Sequence, residues 1–489
     1  MATSNVKSSV QFQQPAVEKA STARVWLTAL VLTLAAAVFR LYRLGDWSFW
    51  VDEMFTLRDI SGNGGLGLYH GMTYPLSYFL IGLSVEHYGV SEWSMRIIPA
   101  IVGMATPAMV YLLGRKSFGE LPSAIASAII VISPWHLYWS QMARFYTMTL
   151  FFSSASILML HRGIEDNKRG YVAAAGILMA LGTASHYSAL LIIAAILVYA
   201  GLIYLLRWQH PRGLNLVNAV IFLAPFIIGG IFFLPKAVSL FSKYAAGLPT
   251  GTHIANPVKA AGYMVFSIGY RLEPLVAVLA IAGACMGIVR RDRGTLALTC
   301  VIAVPALFLI AAGIMSHAEN RYAFVILPAA AILAGTAAST MIKIVREKSR
   351  LLAFAIPIII ALPLLQHDMS YFTVSNGERW NYRAAADYLR AHISKGETVY
   401  SSMWMPLAYY LKDTDLVVQD LNAGTDASGL PSSRSWLVME DATRGESISR
   451  QLSGWIDANC SLKAHFSASS PATDYGISVY QRIIDHPSD

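Results

Sequence analysis

Residues 25–44 read VWLTALVLTLAAAVFRLYRL, and this run sets the class of fold. A helix needs about 20 largely apolar residues to cross the hydrocarbon core of a bilayer. The same pattern returns at Ile97 to Leu113, Leu121 to Trp139, Phe145 to Leu160, Tyr171 to Ala184 and Tyr187 to Leu206. It continues at Leu216 to Leu234, Leu275 to Val289, Leu296 to Met315, Tyr322 to Ile342 and Leu351 to Leu365. The reading is a polytopic α-helical membrane protein with about eleven transmembrane helices. Composition agrees, since only 13% of the 489 residues are charged and 55% are hydrophobic. Soluble domains carry about 25% charged residues, and without lipid such a chain would expose large apolar patches. Ala35, Ala36 and Ala37 imitate a signal-peptidase site. The run continues past them to Leu44 and further spans follow, so it reads as an uncleaved signal anchor.

The 37 Lys and Arg against 29 Asp and Glu give a net charge of +8. Membrane topology accounts for this surplus without a nucleic-acid partner, because Lys and Arg collect in cytoplasmic loops. One set of connectors carries Arg115 and Lys116, Arg162, Lys168 and Arg169, Arg290, Arg291 and Arg293, and Lys343, Arg346, Lys348 and Arg350. The alternate set is poor in base, and its first member holds Asp46, Asp52, Glu53, Asp59, Glu86 and Glu92. The tail 1–24 is therefore expected in the cytoplasm, and an odd number of spans puts the C-terminus outside. The span region 25–366 has two long outer loops, 45–96 and 235–271. Within them Pro75 to Tyr88 and Tyr263 to Tyr270 are apolar stretches suited to lying along the interface. Residues 376–489 are polar and read as a small soluble α/β domain, with a helix over Trp380 to His392 and strands over Thr398 to Trp404, Ser435 to Val438 and Gly476 to Ile483. The three cysteines offer neither a disulfide framework nor a metal motif.

Chemistry-bearing residues gather at the outer ends of the spans. Asp52 and Glu53 are adjacent carboxylates just beyond the first span. They suit a general base at the membrane surface, and equally the first turn of a helix over Met54 to Ile60. Arg96, Arg144 and Arg321 each stand where an outer loop enters a span. Arginine is a forked partner for phosphate; at the same level it also snorkels to headgroups. His70, His136, His186, His253 and His317 fall near the outer surface but show no HxxxH or HExxH spacing. Tyr74, Trp139 and Tyr146 stand at the same level, where an aromatic belt and a sugar cleft look alike.

The combination resembles the GT-C superfamily, and within it the protein O-mannosyltransferase and aminoarabinose transferase-like branch. Trp50-Val51-Asp52-Glu53 is similar to that branch's WxDE loop signature, and Arg96-Ile97-Ile98-Pro99 with Leu112-Leu113-Gly114-Arg115 to its RLPS and LLGR pattern. Ser133-Pro134, Ser140-Gln141-Met142-Ala143-Arg144-Phe145-Tyr146 and Asn320-Arg321-Tyr322 with Leu327-Pro328 resemble further segments. The chain departs where the family often has His-Pro-Pro, here Thr73-Tyr74-Pro75, and where it has an acidic residue, here Met142. These positions bear on the acceptor and on any bound metal.

The resemblance implies an inverting transfer of a sugar from a polyprenyl-phosphate donor to a glycan, lipid or protein acceptor at the outer face of a cell inner membrane. Asp52 would be the base, with Glu53 beside it. Arg96, Arg144 and Arg321 would hold the donor phosphate, and His70, Tyr74, His136, Gln141, Tyr146 and His186 would line an acceptor or sugar pocket. The sequence requires no cofactor and leaves a divalent cation open. No nucleotide cradle of the GxGxxG or P-loop kind is present. The alternative is a flippase for a lipid-linked glycan, which calls for internal symmetry and ionisable groups near mid-membrane.

Overall fold

The computed structural model of the chain describes residues 21–61, 75–229, 256–315, 319–394, 396–421, 435–441, 450–468 and 474–483. Helix α1 (Thr22–Leu41) has one narrow inward stripe, and Trp26, Leu27, Leu30, Val31, Leu34 and Val38 are exposed on its outside. Such a face is stable only against lipid. Two loop helices follow, α2 (Val51–Ile60) and α3 (Pro75–Tyr88). Then come α4 (Glu92–Phe118), α5 (Glu120–Val131), α6 (Pro134–Ser140), α7 (Tyr146–Glu165), α8 (Arg169–Ser185), α9 (Leu190–Leu205) and α10 (Leu216–Gly229). Helices α11 (Pro257–Leu272), α12 (Pro274–Val289), α13 (Arg293–Met315), α14 (Leu327–Lys348) and α15 (Arg350–Thr373) complete the bundle.

Helix α14 is its centre. Ala329, Ala330, Ala331, Ala334, Ala337 and Ala338 are all buried, and the small side chains let α5, α12 and α15 come close. At Gly335 a Cβ would run into the carbonyl oxygen of Pro122 on α5.

Among the described residues six helices are long and apolar enough to cross a membrane, or up to eight if each of two bent pairs is one span. Eight of the eleven expected segments fall among these candidates. The other three segments are helical in their described parts, but they are short or polar. Helix α7 buries Thr147, Thr149, Ser153, Ser154 and Ser156. Protein rather than lipid surrounds it, so its side chains need not be apolar, and Ser156 Oγ donates to Ala175 O of α8 at 2.7 Å. The bent pairs are α5 with α6 (58°) and α11 with α12 (99°). In the second, the apolar stretch Tyr263 to Tyr270 lies on α11, the helix before the bend.

Beyond Thr373 the chain forms α16 (Tyr382–His392), β1 (Thr398–Ser401), α17 (Trp404–Tyr410), β2 (Val418–Asp420), β3 (Ser435–Glu440), α18 (Arg450–Asn459), β4 (Cys460–Phe466) and β5 (Ile477–Arg482). The strands make one sheet in the order β2-β1-β3-β5-β4, with β1 parallel to β2 and β3, and β5 antiparallel to β3 and β4. Strands β2 and β4 and helices α17 and α18 were not expected. Strand β2 is three residues long, and β4 alternates only weakly between buried and exposed positions.

Candidate active site

Helix α2 opens with Trp50 in extended backbone and carries Asp52 and Glu53 in its first turn, where unpaired N–H groups favour carboxylates. The two then diverge. Glu53 points inward and is fully buried. Arg96 Nε donates to its Oε1 at 2.8 Å and Arg96 Nη2 to its Oε2 at 2.7 Å. Ala143 N (2.9 Å) and Trp50 N (3.2 Å) supply two more donors. Burial alone would raise the Glu53 carboxyl, but the charge and hydrogen bonds of Arg96 outweigh it and hold the group below the usual carboxylate range.

Arg96 spends its remaining N–H groups on the carbonyls of Leu44 (3.3 Å), Trp47 (2.9 Å) and Ser48 (3.0 Å). All five of its donors are used inside the protein, and it is wholly enclosed. The expectation that Arg96 binds the donor phosphate, with Glu53 at the reaction centre, is therefore corrected. Arg96 has no N–H left to offer, and the pair instead bolts the first loop to α4.

Asp52 is separate from this pair, and its side chain is 13% exposed. Its Oδ2 accepts from Arg321 Nη1 at 2.7 Å and stands 3.7 Å from Arg144 Nη2. Arg144 Nη1 also donates to Asp52 O (2.8 Å) and Thr56 Oγ1 (3.0 Å). Three distant stretches meet here: the start of α2, the turn before α7, and the 3-10 turn Asn320–Ile326 that leads into α14. Glu319 Oε1 also stands 3.9 Å from Arg321 Nη2, so Asp52, Glu53 and Glu319 balance Arg96, Arg144 and Arg321 in charge. An anion would have to compete with Asp52 and Glu319 for the forked guanidiniums of Arg321 and Arg144.

The expected pocket residues separate. Tyr146 and His186 border this site: the His186 ring lies parallel to Phe145 (4.2 Å, 8°) and Tyr322 (5.6 Å, 7°), and Tyr146 lies 4.2 Å from Trp139. Gln141 does not line a pocket. Its Nε2 is directed at the carbonyls of Phe39, Arg40 and Tyr42 (2.8–3.3 Å), and its Oε1 accepts from Trp47 Nε1 (3.1 Å) and Tyr371 OH (2.9 Å). It caps the end of α1. His136 is also moved inward, fully buried with Nδ1 3.0 Å from Arg40 Nη2 and 3.2 Å from Ser140 Oγ. His70 and Tyr74 lie outside the described residues. Among the described residues no group of three or more His, Cys, Asp and Glu is placed to hold a metal ion.

Two residues that sequence reasoning passed over belong to the site. Thr56 stands four residues after Asp52, hence on the same face of α2, and this spacing could have revealed it. Arg379 donates to Gln141 O (2.7 Å), Gly377 O (2.7 Å) and Tyr371 OH (3.0 Å), so it fixes the turn before Arg144. Nothing local to Arg379 announces this.

The whole-chain arrangement matches known membrane transferases. ArnT from Cupriavidus metallidurans superposes with a TM-score of 0.52 in its apo state, at 14% identity, covering 95% of this chain and 98% of that one. Its undecaprenyl phosphate complex gives 0.53 at 14% identity, covering 95% and 99%. This is the GT-C fold. The likeness extends to the archaeal oligosaccharyltransferase AglB from Archaeoglobus fulgidus, solved with an inhibitory peptide and a dolichol-phosphate (TM-score 0.53, 14% identity, 86% of this chain and 70% of that one). Residues 71–233 match the dolichyl-phosphate-mannose-protein mannosyltransferase family model. No curated protein sequence matches.

Proposed function

We propose that the chain is an inverting glycosyltransferase. It would move a sugar from a polyprenyl-phosphate carrier to an acceptor at the outer face of the membrane. The observation that carries this reading is the Asp52–Arg321–Arg144 cluster, with one ion-pair distance between a carboxylate and two phosphate-competent guanidiniums. Support comes from the GT-C fold, whose solved relatives were captured with undecaprenyl phosphate and dolichol-phosphate.

In the absence of donor, Asp52 is the counter-ion of Arg321. A donor phosphate entering between the helices competes for Arg321 and Arg144 and releases the carboxylate. The acceptor hydroxyl or amine then attacks the anomeric carbon while Asp52 takes its proton. The bond from that carbon to the phosphate oxygen breaks, and the arginines stabilise the charge that builds on the leaving phosphate. A single displacement inverts the anomeric centre. Asp52 and Arg321 stand at the base-poor end of the bundle, which supports an outer site, and the basic connectors at the other end support a cytoplasmic N-terminus.

The test is turnover of polyprenyl-phosphate sugars by the purified protein. With Asp52→Asn, kcat should fall about 10²–10⁴-fold, the usual contribution of a general base, while donor binding is retained. A variant that keeps full turnover refutes the reading, and a flippase would transport unchanged.

A further inference from the structure

At the ends of the helices opposite Asp52 lies a cavity of about 1090 Å³, walled by the α4–α5, α7–α8 and α12–α13 junctions. Helix α4 links the two ends: from Arg96 to Lys116 is about 30 Å at 1.5 Å per residue. The cavity is lined by Lys116, Arg162, Arg290, Arg291 and Arg293, against Glu165, Asp166 and Asp292. Two of the acids are paired with lining bases and Asp292 with a backbone N–H alone, so five bases against three acids leave a net charge of +2. Glu165 takes a forked ion pair from Arg293, Asp166 lies 3.3 Å from Arg162 Nε, and Asp292 Oδ1 accepts from Thr295 N at 2.7 Å. Lys116, Arg290 and Arg291 have no carboxylate partner among the described residues, and all three are exposed at the rim.

The floor is polar and open. Ser117, Thr295 and Thr336 line it, together with the stacked rings of His161 and Phe118. Gly294 keeps it clear: a Cβ there would stand 2.9 Å from Phe118 Cε1 and 3.1 Å from His161 Nε2.

We propose that this cavity is a second anion site, taking a phosphate group at the end of the molecule away from the transfer chemistry. Topological bias explains why bases occur at this end. It does not explain why three cations without a carboxylate partner, from two separate junctions, line one concavity of net charge +2 together with hydroxyl side chains. Forked guanidiniums and an ammonium match phosphate oxygens. The phosphate reaches the cavity either as the headgroup of an anionic lipid or as a soluble phosphate compound from the aqueous side.

The test is thermal unfolding of the full-length protein in neutral detergent, titrated with phosphatidylglycerol, phosphatidylcholine or inorganic pyrophosphate. A saturable upward shift with phosphatidylglycerol but not phosphatidylcholine assigns a lipid headgroup, and one with pyrophosphate assigns a soluble source. In the triple variant Lys116→Ala, Arg290→Ala, Arg291→Ala the half-saturating concentration should rise at least about tenfold by loss of charge-assisted contacts. The double variant Arg346→Ala, Lys348→Ala, basic but outside the cavity, should match the wild type. No saturable shift of the wild type with either anion overturns the proposal, without reliance on any variant. So does an equal loss in the double variant. Neither result bears on Asp52.

Discussion

Adjacent carboxylates have opposite duties in this molecule. Glu53 is enclosed and matched bond for bond by Arg96, whereas Asp52 shares Arg321 and Arg144 and keeps a small exposure. Glu53→Gln would leave the Arg96 guanidinium buried without its counter-charge, which typically costs about 3–5 kcal/mol. The expected result is a much lower unfolding temperature or loss of folded protein, measured by thermal scanning in detergent. Arg321→Ala should behave differently. Its side chain is 23% exposed and Asp52 retains Arg144, so the unfolding temperature should change little. Its kcat should fall by about 10²–10³, as for loss of one preorganised electrostatic contact. Kinetics and thermal scans on the same two preparations separate the structural Glu53–Arg96 pair from the Asp52–Arg321 pair proposed for the chemistry. The sequence put Arg96 and Arg321 in equivalent positions, each at a loop–span junction. Only the carbonyls of Leu44, Trp47 and Ser48 around Arg96 distinguish them.

Among the elements, the break between α5 and α6 governs the site. Ile132 caps the end of α5, Ser133 caps the start of α6, and Pro134 is the first residue of α6, a position where the missing N–H of proline costs nothing. The 58° bend turns α6 so that the following residues present Ala143 N to Glu53 and Arg144 to Asp52. Gln141 locks this turn to the end of α1. Gln141→Leu would leave the carbonyls of Phe39, Arg40 and Tyr42 and the donors of Trp47 and Tyr371 without their partner. At about 1–3 kcal/mol for each buried polar group so stranded, the loss should exceed 2 kcal/mol. Hydrogen exchange should speed up over residues 38–47, while α9, which packs on α13, stays protected. Helix positions were legible from apolar runs because lipid demands them. The polar helix α7 was legible only in outline, since protein satisfies its hydroxyls.

Across the whole molecule, the C-terminal sheet region is fastened to the bundle beside the site. Arg383 pairs with Glu92 at 2.5 Å, Tyr410 OH donates to the same carboxylate at 2.5 Å, and Arg271 pairs with Glu378 at 2.8 Å. Between Glu378 and the bundle runs a turn in which Asn376, Gly377 and Glu378 all have positive φ, and at Gly377 a Cβ would lie 2.7 Å from the Trp47 ring. Burial alone would raise the Glu378 carboxyl, but Arg271 and the His367 hydrogen bond bring it down to about 2. A carboxylate depressed on folding adds stability above its unfolded pKa, near 4.5, and this is lost as pH falls towards 2. The unfolding temperature should therefore hold down to about pH 5 and then fall, since acid protonates this clasp. Glu378→Gln should start lower and show a shallower acid decline in thermal scans from pH 8 to 3.

The sequence by itself determined that the chain is a helical membrane protein, where most helices lie, and that carboxylates and arginines gather at one end. Those features follow from local rules, the apolarity that lipid requires and the bias of charge across a bilayer. Only the tertiary structure decided which arginine meets which carboxylate. Asp52 and Arg321 are far apart along the chain yet 2.7 Å apart in space. That meeting depends on the bend at Pro134, the Gln141 bracket and the close approach of helices to α14. A long-range contact of this kind is set by packing, which leaves no mark within the short window around either residue.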